Sequence, residues 1–195
     1  MGPGRSATRP WPQRHRVSTE DKRRDVCLDN NRYNEYILNV VKSIQAELQQ
    51  SKPFATPEEE AAVSLTRTAS LLEWRMAEML KPHGISPTQY NALRILRGAG
   101  KQGRTCSEIG ERMINRDPDI TRLLDRLERR GLVERCRDKK DRRVITGRIT
   151  ATGLDLLKGL DRPIEEFLKK MLGHMRGPEL QELIRLLAVA REHAG

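Results

Sequence analysis

Aromatic residues make up only 4% of the 195-residue chain, and cysteine is scarcer still, with three residues. Binding single strands by base stacking needs exposed rings, yet residues 116–148, the stretch richest in positive charge, contain none. Cys27, Cys106 and Cys136 are odd in number and far apart, which argues against a disulfide framework. Together with four histidines they show no metal-ligand spacing, so no zinc site is expected. No apolar run approaches bilayer-spanning length. The basic opening, MGPGRSATRPWPQRHR, lacks the apolar stretch of a secretory signal. The expectation is a cytoplasmic protein without a membrane partner. No nucleophile–base pair, glycine-rich phosphate loop or carboxylate dyad stands out, so neither an enzyme nor a cofactor is expected.

What the chain has in excess is positive charge. Its 37 Lys and Arg against 27 Asp and Glu give a formal net charge of +10. The excess is local: residues 116–148 hold twelve basic and seven acidic side chains, and residues 1–32 hold eight and four. A localised basic patch is the electrostatic footprint of nucleic-acid binding. The alternative for any one arginine is a solvated helix face.

Residues 1–32 mix Pro, Gly, Arg and Asp without an apolar period, so disorder is expected there. Ile37, Val41, Ile44 and Leu48 predict a short helix over about 34–50. After the linker SKPFATP, three helix starts pair a capping side chain with a following proline: Thr56-Pro57, Ser86-Pro87 and Asp117-Pro118. They predict helices over about 57–81, 87–97 and 118–130. A capping box at Thr105–Glu108 predicts a fourth, to about Met113. In the 118–130 helix Ile120, Leu123, Leu124 and Leu127 form the apolar stripe. Strands are expected over 132–137 and 143–149 around the charged loop, with Cys136 packing inward. Thr150 then caps a helix to about Met171, and a last helix starts at Pro178.

Two short helices followed by a hairpin outline a winged helix-turn-helix, whose second helix enters the major groove while the hairpin reaches the flanking backbone or minor groove. The expected fold class is mainly α with a small β-wing. With the apolar stripe inward, Thr121, Arg122, Asp125, Arg126 and Arg129 point outward. Thr121 and Arg122, in the first turns, are the candidates for base readout. Arg126 and Arg129 suit phosphates, and Lys139, Lys140, Arg142 and Arg143 stand at the wing tip.

The segments ISPTQYNALRIL, TCSEIGERM, DITRLLDRLERRGLVER and DRRVITGRITATG, in this order and spacing, resemble the multiple-antibiotic-resistance regulator (MarR) family. The resemblance covers about residues 57–193. It is most specific at Asp141, Arg143, Ile149, Thr150 and Gly153. It implies a homodimeric transcription factor, usually a repressor that leaves a pseudo-palindromic double-stranded DNA operator when a small molecule binds. It also implies an organisation: an extension over 1–52, then a domain over 53–195. That domain has dimerisation helices at 57–81, 150–172 and 178–193 and a winged helix-turn-helix at 86–149. Wing arginines of the family enter the minor groove, a role that falls to Arg142 and Arg143, although Arg143 has the alternative of bracing the loop against Asp141.

Family effectors are commonly aromatic or phenolic and sit between the dimer helices and the DNA-binding lobe. Trp74, His83, Tyr90 and Arg94 are the candidates here, against an ordinary place for each in core, interface or turn. Peroxide-sensing relatives carry a cysteine near the start of the first dimer helix, where this chain has none. Cys106 opens a helix instead, and either a reactive thiol or a small packed side chain fits it. The competing function is a nonspecific, architectural nucleic-acid-binding protein whose tail and wing only coat phosphates.

Overall fold

Side-chain capping sets most of the helix starts in the computed structural model, which describes residues 42–115, 119–137 and 145–192. The chain partitions into two units, Met1–Ser64 and Leu65–Gly195. In the first, helix α1 is the single turn Ile44–Glu47, with the Ser43 hydroxyl accepting from the Ala46 amide. The rest of the helix expected from residue 34 lies largely outside the described residues. The long helix α2, Pro57–Leu80, begins in this unit. Its first turn is held by Thr56 Oγ1, which accepts from the Glu59 amide at 3.2 Å, while Glu59 accepts in return from the Ala55 amide.

In the second unit α2 ends in a 3-10 turn, Lys81–His83, closed by Gly84. Helix α3, Pro87–Ala99, and helix α4, Cys106–Arg112, both start with complete capping boxes, Ser86 with Gln89 and Thr105 with Glu108. Helix α5 spans Ile120–Arg129. Its cap differs from expectation: Asp119, not Asp117, accepts from the Arg122 amide at 3.1 Å. An aspartate immediately before the first turn reaches the third helical N–H, which a residue two positions earlier cannot do. Asp117 and Pro118 lie outside the described residues. Gly131, at φ +67°, ends α5 in the left-handed conformation.

Strands β2, Val133–Arg137, and β3, Ile145–Ile149, form the expected hairpin, with Val133 opposite Ile149 and Arg137 opposite Ile145. A third strand, β1 at Arg104–Thr105, pairs antiparallel with the other edge of β3. Two residues carry no periodicity, so β1 was not readable from the sequence. Helix α6, Ala151–Leu172, is capped by Thr150, and helix α7 spans Gly177–Glu192.

The core collects the apolar stripes of these elements. Leu80, Leu93, Leu96, Ile109, Leu124, Leu127, Leu157 and Leu160 are fully buried in one cluster. Arg97 ties α3 to α6 from the rim, donating from one guanidinium nitrogen to both Asp161 carboxylate oxygens at 2.9 and 3.0 Å. Helix α7, by contrast, buries no residue, and Ile184, Leu186 and Val189 on it are exposed. None of the helices among the described residues is long and apolar enough to cross a membrane.

Candidate nucleic-acid interface

Helix α5 is sharply two-faced. Leu123, Leu124 and Leu127 are buried, while Thr121, Arg122, Arg126 and Arg129 are exposed. All four expected helix contacts therefore lie on the surface opposite the core. Arg122 pairs with Asp119 at 3.0 Å but keeps 79% of its side chain exposed, so the guanidinium remains free to engage a partner. Such an exposed pair contributes little on its own. Arg126 and Arg129 have no ion-pair partner among the described residues. The wing residues Lys139, Lys140, Arg142 and Arg143, with Asp141, lie outside the described residues.

Asp125 departs from the outward position expected for it. Arg135 of β2 turns toward α5, placing one guanidinium nitrogen 2.5 Å from Asp125 and another 2.6 Å from Glu128. Its Nε and its backbone N–H donate to the two Glu128 oxygens at 2.7 and 3.1 Å. These hydrogen bonds hold the Glu128 carboxyl below its ordinary pKa, against the cost of desolvation. The recognition-type helix and the wing strand are thus clamped by a single cation between two anions. Arg135 sits in the basic window yet is spent internally, and the contact spans elements that sequence periodicity cannot join.

The same geometry corrects Cys136, which is exposed rather than inward-packing. Alternation puts Val133 and Arg135 on the face toward α5, and the ion pairs satisfy Arg135 there. Cys136 is left on the other face. Cys106 is half-buried, and burial raises its thiol pKa more than a Thr121 hydrogen bond and the Arg135 charge lower it.

Below the wing, Thr150 makes a junction. Its Oγ1 donates to the Gly131 carbonyl at 2.6 Å and accepts from the Gly153 N–H at 3.1 Å, and its own N–H donates to the Leu132 carbonyl. A Cβ at Gly153 would lie 2.7 Å from Ile149 Cγ1 and nearer still to the Leu132 oxygen. Thr150 and Gly153 thereby lock the end of α5, the wing base and α6 into one body. At the same end of α5, its C-cap Arg130 donates to the carbonyls of Gly84 and His83.

Of the four candidate effector residues, Tyr90 and Arg94 stand together. Trp74 is 54% exposed on α2, under the Arg75 guanidinium. His83 is an exposed residue of the 3-10 turn whose carbonyl accepts from Arg130. Tyr90 is buried in the core cluster, with Arg94 5.8 Å above its ring. Burial raises the Tyr90 pKa despite Arg94 and Arg97 nearby. None of the four lines the apolar cleft formed by Ala69, Leu72, Met76, Pro87 and Met113.

Residues 83–144 match the family model described as the MarR family. The chain is 30% identical over 115 residues to the uncharacterised HTH-type transcriptional regulator YkoM of Bacillus subtilis, covering 58% of this chain and 73% of that protein. It is 34% identical over 91 residues to the HTH-type transcriptional repressor MdtR of Bacillus subtilis, across 47% of this chain and 57% of the repressor. The crystal structure of a MarR transcription factor from Planctomyces limnophilus superposes with a TM-score of 0.56 and 39% identity, covering 70% of this chain and 99% of that one.

Proposed function

The chain belongs to the MarR family of winged helix-turn-helix DNA-binding transcriptional regulators, and on that premise we propose that it is a cytoplasmic, homodimeric, sequence-specific repressor released by a small-molecule effector. The observation that carries the reading is the two-faced helix α5, with its leucines in the core and Thr121, Arg122, Arg126 and Arg129 exposed. A helix held this way presents its first turns to base edges and its later arginines to the backbone. Thr121 and Arg122 read bases, Arg126 and Arg129 take phosphates, and Lys139, Lys140, Arg142 and Arg143 of the wing grip the adjacent groove. The exposed apolar residues of α7, with Trp74 and Leu71 on α2, are the side chains a second copy covers. The repressor named among the relatives supports the direction of control.

Binding to the protein's own upstream region is compared with binding to random duplex of equal length at fixed salt. Preference for the upstream fragment is expected, with footprinted half-sites about one helical turn apart. Equal affinity for both duplexes overturns the repressor reading in favour of an architectural binder. Arg122→Ala is expected to relax base preference by about 1–3 kcal/mol at one position. Arg142→Ala should weaken all sequences alike and lower the salt slope by about one.

A further inference from the structure

The unit Leu65–Gly195 carries an apolar cleft of about 390 Å³ beside the helix-turn-helix. Its walls are Leu72 and Met76 of α2, Pro87 at the start of α3, and Met113 and Ile114 in the turn after α4. That volume is of the size that encloses a small organic molecule. Methionine in the wall adapts to the shape of an occupant. Ile114 is 80% exposed, so a large apolar side chain waits at the rim for something to cover it.

One residue decides the charge of what fits. Glu73 is the only ionisable side chain lining the cleft among the described residues; Thr88, Asn91 and Asn115 supply the remaining polar groups. Glu73 Oε1 also accepts from Asn115 Nδ2 at 3.4 Å. That bond links α2 to the turn on the way to α5.

The cleft lies between α2 and the helix-turn-helix, where the family resemblance places effectors; we infer, resting on the repressor reading above, that its ligand here is a lipophilic monocation, an amine or quaternary ammonium on an apolar body. The apolar body fills the space between Leu72, Met76 and Met113, and the cationic head meets Glu73. A carboxylate ligand would set like charge beside Glu73, which disfavours anionic members of the aromatic or phenolic class that the family resemblance suggests. The cationic head also competes with the Asn115 amide for the same carboxylate. An occupant that takes Glu73 from the Asn115 amide loosens the tie between α2 and the turn ahead of the recognition helix, and it releases DNA to the extent that it favours the DNA-free arrangement.

The experiment titrates the full-length protein with benzyltriethylammonium and with 4-tert-butylbenzoate, two apolar bodies of opposite charge, using equilibrium dialysis. The cation should bind about fivefold tighter, the upper range for a solvent-accessible ion pair. Glu73→Gln should erase that preference. Ala69→Trp, at an exposed position on the cleft wall, should abolish binding of both probes. Equal binding of the two ions, cation affinity unchanged in Glu73→Gln, or binding that survives Ala69→Trp overturns the assignment. In parallel, the cation should weaken binding to the upstream DNA fragment in the wild type and not in Glu73→Gln. Bound cation with unchanged DNA affinity overturns the release step. Loss of selective DNA binding altogether would remove the repressor reading, while the dialysis still decides the site.

Discussion

Gly153→Ala and Gly159→Ala make the same chemical change in the same helix, α6, and should have opposite effects on stability. At Gly153 the new methyl would lie 2.7 Å from Ile149 Cγ1 and closer to the Leu132 oxygen. The Leu132 carbonyl cannot step aside cheaply: it accepts from the Thr150 N–H at 3.1 Å, and the Leu132 N–H is held by the Leu127 carbonyl at 3.0 Å. Overpacking against a pinned backbone costs roughly 1–3 kcal/mol. At Gly159 a Cβ would meet nothing within 4 Å. Gly159 lies in the helix interior and its replacement gains about 1 kcal/mol of helix propensity, while Gly153, the third residue of α6, gains at most about that. The difference between the two variants is dominated by the clash. Urea unfolding at fixed protein concentration should place the Gly153→Ala midpoint below that of Gly159→Ala by roughly 0.5–1.5 M, for an m-value of about 2 kcal/mol/M. Coincident midpoints, or a more stable Gly153→Ala, would refute close packing of α6 on the wing base.

Arg135→Ala removes the clamp between α5 and β2 and should cost about 1–2 kcal/mol of stability, with partial recovery in Arg135→Lys. Its DNA affinity should fall with the salt slope unchanged; a slope lowered by about one would make Arg135 a phosphate contact instead. Because the Glu128 pKa is held below its ordinary 4.5 in the folded chain, the stabilisation is complete above that value and lost as pH falls through the lower folded pKa. Acid titration of the unfolding free energy should show this loss, and Arg135→Ala should flatten it; an identical acid limb in the variant contradicts the coupling. In a Cys27→Ser background, a thiol reagent at pH 8 should modify exposed Cys136 first. Cys106, with its pKa raised by burial, should follow about tenfold more slowly. Equal rates would place Cys106 at the surface.

The helix starts were legible because capping is local: Ser86 with Gln89 and Thr105 with Glu108 act over three residues, and the sequence displays both partners. The outward arginines of α5 were legible for a similar reason, since a 3.6-residue period sorts Leu123, Leu124 and Leu127 from Arg122, Arg126 and Arg129. Alternation along β2 was equally visible, but which face it offered to the core was not. Arginine at 135 and cysteine at 136 suggested the reverse of what is found, because the acidic pair on α5 that accepts Arg135 is seven and ten residues away.

The sequence by itself determined where most of the helices begin, which face of α5 is buried, where positive charge concentrates, and the family that this pattern resembles. Each of these depends on interactions within a few residues, or on the hydrophobic effect acting on a periodic face. Only the tertiary structure decided that Arg135 is a clamp, that Gly153 is a packing contact, and that Glu73 and Asn115 meet across a cleft. Those contacts depend on where separate elements come to rest, and Asn115 lies 42 residues from the carboxylate it reaches.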